Sequence, residues 1–246
     1  MEHGVTVIAF VFFAVFVGYT IQSISGFGAV IFALPLSLIV LDRMEILPVF
    51  LMMSTIQSFM VAYRDKKYIM FKEYIIMFFL ASLGMPIGIY ITELVDPNIM
   101  NILLGAFIII NSGMNLYKTI KKKDLDTELL VRPQHRIYPI LSGVLQSAYG
   151  IGGPLISMYM DKVTHDKRTY RGMLSLFWCM LNPFIIVGYL FRGEIGTSHI
   201  KMLMILFPAV LCAIFIGNRI IDHISKEKFQ LFVHGLLIVI GCTMFI

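Results

Sequence analysis

Apolar residues run through this chain in blocks of 17 to 20, separated by short polar stretches. Six such blocks, at 46–63, 74–91, 99–117, 172–191, 200–216 and 229–246, have the length and apolarity of bilayer-crossing helices. Two further apolar regions do not fit that template. Region 5–41 is interrupted at Gly26-Phe27-Gly28, and region 137–160 at Gly150-Ile151-Gly152-Gly153-Pro154. In the second region the piece before the break is only 13 residues, too short to span and the right size for a re-entrant arm.

The two interruptions are copies of one phrase. Gln22-Ser23-Ile24-Ser25-Gly26-Phe27-Gly28 returns 124 residues later as Gln146-Ser147-Ala148-Tyr149-Gly150-Ile151-Gly152. The pattern predicts an all-α integral membrane protein of two inverted repeats. Each is a glycine-broken re-entrant helical hairpin followed by three transmembrane helices. The first repeat covers 1–117, a basic linker 118–136, and the second repeat 137–246.

Composition agrees with the pattern. The chain is 58% hydrophobic, with mean hydropathy +0.84 and 14% charged residues, against about 25% charged in soluble domains. Segment 5–24 lacks the basic start of a signal peptide and is expected to be retained. The net charge of +5 reads as topology. If each hairpin returns to its side of entry, the loops 64–73, 118–136, 161–171 and 217–228 share one face and carry 17 of the 20 Lys and Arg. If each broken region instead made one net crossing, the split would be 12 against 8. The positive-inside rule selects the first arrangement, with the linker cytoplasmic and both termini outside. No nucleic-acid partner is needed to explain the charge, and the sequence carries no signal that sets an oligomeric state.

A helix broken inside a bilayer leaves backbone N–H and C=O groups that survive only against protein or a wet cavity. A new helix is expected to start near Ala29 and at Pro154, and helix N-termini attract anions. Two tips entering from opposite faces could hold one small anion near the midplane. The candidate binding residues are Gln22, Ser25, Gly26, Phe27 and Gly28 at the first tip, and Gln146, Tyr149, Gly150, Gly152, Gly153 and Pro154 at the second. Asn182 joins them because it falls at the repeat position of Ser58. The bland alternative is that the glycines serve helix packing. Further polar candidates are Gln57, Ser58, Asn111, Ser112, Asn115, Trp178 and Tyr159.

No Asp, Glu, Lys or Arg lies inside a predicted crossing away from its ends, and His234 is the one titratable exception. A proton relay built on an intramembrane carboxylate is therefore not expected. The three cysteines, Cys179, Cys212 and Cys242, sit in apolar sequence at no metal-ligand spacing. No metal, cofactor or catalytic residue is expected, and no motif points to an enzyme.

Gly143 followed by Tyr149-Gly150-Ile151-Gly152-Gly153-Pro154 resembles the second signature of the sulfite exporter TauE/SafE family of bacterial membrane transporters. Gly26-Phe27-Gly28 with Pro35 resembles the first, with Ala29 where the family often has glycine. The resemblance implies transport of a small sulfur-containing anion, such as sulfite, sulfoacetate or another organosulfonate, in the bacterial cell membrane. An inside-negative potential of about 100 mV drives a monoanion outward by about 2.3 kcal/mol, so export by alternating access needs no coupling ion. An anion channel of the same architecture, or an importer of a related anion, is the alternative.

Overall fold

A computed structural model describes residues 4–91, 97–121, 131–149 and 152–245. Among these residues there are α-helices and short 3-10 turns but no strand. The helices are α1 (Val5–Ser25), α2 (Ala29–Ser37), α3 (Arg43–Arg64), α4 (Phe71–Ile91), α5 (Pro97–Ile120), α6 (Ile137–Tyr149), α7 (Gly153–Val163), α8 (Lys167–Phe191), α9 (Thr197–His223) and α10 (Lys226–Thr243). Each of the six predicted crossings falls on one helix. Among the described residues five helices (α1, α3, α4, α8 and α9) are long and apolar enough to cross a membrane.

The helices form two compact units, and each draws on both halves of the chain. One contains residues 1–69 and 171–223, the other 70–170 and 224–246.

In the first unit α1 packs against α2 and α9, and α3 packs against α2 and α9. Their shared core includes Val15, Tyr19, Ala33, Phe50 and Val210, all essentially buried. Close approach of α1 and α2 depends on Gly18, where a Cβ would sit 2.7 Å from the Ala29 carbonyl oxygen and 3.0 Å from Ala33 Cβ. The two helices therefore lie side by side across a three-residue break. Their arms are unequal, 21 residues against nine. At 1.5 Å per residue α1 is about 31 Å long, enough to span by itself.

In the second unit α6 packs against α4 and α7, and α5 against α10. The α4–α6 contact is made by glycines from both sides. A Cβ on Gly143 would run into the Ala81 carbonyl oxygen, and one on Gly84 into that of Ile140. Gly105 and Gly241 face each other between α5 and α10, where a Cβ on Gly105 would lie 2.8 Å from the Gly241 oxygen. Small residues that let backbones touch are the usual means of association where lipid removes the hydrophobic drive.

Polarity is arranged for an apolar solvent. Phe13, Phe59, Phe79, Phe184 and Phe215 are exposed, whereas Gln22, Ser23, Ser25, Gln57 and Ser58 are buried. Exposed aromatic faces over a polar interior suit lipid rather than water. The protein is a multi-pass membrane protein.

Candidate functional site

The first break turns on two residues in the left-handed region, Gly26 (φ 86°) and Gly28 (φ 102°), which glycine reaches without the Cβ penalty. Their surroundings differ. A Cβ on Gly26 would lie 2.9 Å from the Arg171 carbonyl oxygen and 3.0 Å from Leu174 Cβ, so Gly26 serves packing against α8. A Cβ on Gly28 would meet nothing closer than 3.7 Å. Phe27 is buried between them.

The backbone groups freed by the break are held by side chains of α1. Ala29 N–H donates to Gln22 Oε1 at 3.2 Å. Ser25 Oγ donates to the Phe27 carbonyl at 2.7 Å and accepts from its N–H at 3.3 Å. The Ala29 contact fixes which end of the Gln22 amide is oxygen, because an N–H must meet an acceptor. The amide nitrogen then donates to Ser54 Oγ (3.0 Å) and Ser58 Oγ (3.2 Å) on α3. Asn182 Nδ2 reaches the same Ser54 oxygen at 3.3 Å. Gln22 and Asn182, 160 residues apart in sequence, thus share one buried network. Trp178 lies one turn before Asn182 on the same face, and its buried indole N–H has no partner among the described residues.

The second break follows the same plan. Gly152 N–H donates to Gln146 Oε1 at 3.0 Å, and Ser142 Oγ donates to the Gly152 carbonyl at 2.8 Å. A Cβ on Gly152 would lie 2.7 Å from the Ser142 carbonyl oxygen and 2.8 Å from Gln146 Cβ. At this break the glycine lets the turn close on the preceding helix. Gly152 is the N-cap of α7, Gly153 its first residue and Pro154 its second, where a missing N–H costs nothing. Gly150 and Ile151 lie outside the described residues, and of Tyr149 only the backbone, at the end of α6, is described. In both copies the repeat-equivalent glutamine caps the backbone of its own break.

Four residues of these networks are not singled out by the sequence: Arg171, Asp65, Ser54 and Ser142. Arg171, counted there as a loop charge, sits in the second turn of α8 and is fully buried. Its Nη1 donates to the Ser23 carbonyl and to Asn218 Oδ1, both at 3.0 Å, so it buttresses the end of α1 next to the tip. Its charge is balanced by buried Asp65. Nothing in local sequence separates these two from other loop charges. Ser54 and Ser142 could have been found, since each stands four residues from a flagged polar residue, Ser58 or Gln146, on the same helix face. The remaining candidates are placed elsewhere. Gln57 Nε2 donates to the Tyr19 carbonyl at 2.7 Å, Asn115 Nδ2 donates to Asn111 Oδ1 at 3.1 Å, and the Tyr159 hydroxyl binds Glu73.

Among the described residues no group of three or more His, Cys, Asp or Glu could hold a metal ion. The chain matches the model of the sulfite exporter TauE/SafE family over residues 10–244. No curated protein and no solved structure matches it. With the match running through both glycine breaks and every helix, the chain belongs to the sulfite exporter TauE/SafE family.

Proposed function

We propose that this protein carries a small sulfur-containing anion, sulfite or an organosulfonate such as sulfoacetate, across the cell membrane, with the anion held at the glycine-broken tips. The observation that carries this reading is the pair of equivalent glutamines. Each uses its carbonyl to hold one backbone N–H of its tip in place, at Ala29 and at Gly152. The next N–H groups of the new helices, those of Val30 and Ile31 in α2 and of Gly153 and Leu155 in α7, are left to a guest. Gly28, half-buried and without a Cβ, immediately precedes the first set, and in the same unit stand the Asn182 amide and the Trp178 indole N–H, which has no partner among the described residues. Neutral donors of this kind bind an anion without holding it too tightly to release.

Transport proceeds by alternating access between inverted repeats, with the 118–136 linker cytoplasmic and both termini outside. The pattern of contacts supports the repeat. The long arm of the first hairpin, α1, packs on α9, and its counterpart α6 packs on α4. Each is thus seated on the second post-hairpin helix of the other half. An inside-negative potential favours exit of a bare monoanion.

The test is flux of labelled sulfite, sulfoacetate and carboxylate anions through proteoliposomes, for the wild type and Gln22→Glu. Glutamate keeps an acceptor for Ala29 N–H but brings a negative charge to the tip. Sulfur anions should move in the wild type, and the variant should lose at least tenfold in rate while remaining monodisperse. Unchanged flux in Gln22→Glu would remove the first tip from the site, and currents far above transporter turnover would make the protein a channel.

A further inference from the structure

The second unit contains a buried acid–base pair that the anion site does not use. Asp161, in the last turn of α7, points its Oδ2 at Nδ1 of His234 on α10, 3.9 Å away. The side chains are 13% and 5% exposed. Both facing atoms are buried and neither has a hydrogen-bond partner among the described residues. At 3.9 Å no hydrogen bond exists, so two polar atoms stand opposed across a gap of about 1 Å more than a bond requires.

We propose that Asp161 and His234 together bind one proton, and that this proton travels with the anion. The proton resides on the carboxyl, which donates to His234 Nδ1 as the gap closes. That form carries no net charge and satisfies both atoms at once, whereas a buried carboxylate facing a neutral ring is costly. The surrounding charged and titratable groups leave this role open. Lys162 follows Asp161 on α7 and Tyr170 of α8 lies near enough to interact with it. Tyr170 is bonded to Ser157, while Glu73 of α4 binds the Tyr159 hydroxyl and Arg136 acts on that same tyrosine. His165 is bonded to Gln230 of α10.

Coupling follows from the position of the pair. Asp161 stands eight residues beyond the first residue of α7, about 12 Å along the helix that begins at the second tip. An ionised Asp161 repels an anion at that tip, and a protonated one does not. Anion binding therefore raises the affinity for the proton, and by linkage the proton raises the affinity for the anion. A proton bound with the anion cancels one of its charges, which frees a monoanion from the membrane potential and halves the charge moved with a dianion such as sulfoacetate; at zero potential the two gradients alone set the direction. This inference rests on the transport reading above.

Two measurements test it. Infrared difference spectra of the purified protein across a pH titration should show a protonated-carboxyl band that is absent in Asp161→Asn and shifted in His234→Gln. This arm needs no transport. A band unchanged in Asp161→Asn, or the absence of one in the wild type, overturns the proton site. Second, proteoliposomes held at zero potential are given equal sulfoacetate on both sides and a tenfold proton gradient, alkaline inside. The wild type should accumulate sulfoacetate up to about tenfold, and Asp161→Asn and protein-free vesicles should not. Accumulation in the wild type that persists in Asp161→Asn, or downhill flux with no response to the gradient, overturns the coupling. Absence of downhill flux for every anion, with the carboxyl band as expected, overturns the coupling together with the transport reading and leaves the proton site standing.

Discussion

Arg171 and Asp65 meet with both side chains fully buried, Nε at 2.7 Å and Nη2 at 2.5 Å from the same carboxylate oxygen. They join the start of α8 to the C-cap of α3. Removing one partner leaves an uncompensated buried charge. Asp65→Asn should therefore destabilise the protein by about 3–5 kcal/mol, and an apolar double replacement, Asp65→Leu with Arg171→Met, should recover most of that. Unfolding followed by the fluorescence of Trp178, the single tryptophan, measures both. If Asp65→Asn unfolds with the wild type, the pair does not hold α8 to α3.

The glutamine caps predict a paired result. Gln22→Leu and Gln146→Leu each orphan a buried backbone N–H, at a cost of about 1–3 kcal/mol. Gln22→Leu also strips a donor from Ser54 and Ser58. Both variants should insert in the membrane, melt earlier and transport at least tenfold more slowly. A Gln146→Leu protein of wild-type stability would show that the Gly152 N–H needs no cap.

The glycines divide by what surrounds them. Gly143→Ala drives a Cβ into the Ala81 carbonyl and should cost about 1–3 kcal/mol by forcing α4 from α6. Gly235→Ala in α10 meets nothing within 4 Å and should stabilise by about 0.5–1 kcal/mol through helix propensity. Melting curves of the two should move in opposite directions, and a shared direction would contradict the packing described for Gly143. Gly152→Leu tests the fold as much as the proposed anion site, because its side chain would strike α6.

Topology is tested in a background with the two exposed cysteines, Cys212 and Cys242, changed to serine. A cysteine placed in the 118–136 linker should react with an impermeant maleimide only from the cytoplasmic side. Labelling of intact cells from outside would reverse the charge-based orientation.

Much of this protein is written locally. Unbroken apolar runs dictate helices, because in lipid each backbone N–H must find a carbonyl within its own segment, and the six predicted crossings lie on α3, α4, α5, α8, α9 and α10. The breaks are equally legible. Two glycines in left-handed conformation end α1 and precede α2, and Gly152 precedes α7, close to the expected starts at Ala29 and Pro154. The boundaries near Asp161 and Arg171 were harder. Both residues are charged and look like loop, yet α7 and α8 extend through them: buried partners replace the solvation that Arg171 loses, while Asp161 faces His234 without a hydrogen bond.

The sequence by itself determined the helices, their breaks and the family, since each depends on apolarity and glycine over spans of a few residues. Only the tertiary structure decided which polar groups meet. It joined Gln22 to Asn182 through Ser54, Arg171 to Asp65, and Asp161 to His234. Those partners lie tens to more than a hundred residues apart. Their pairing is set by which helices pack together, and the apolar pattern along any one helix carries no record of that.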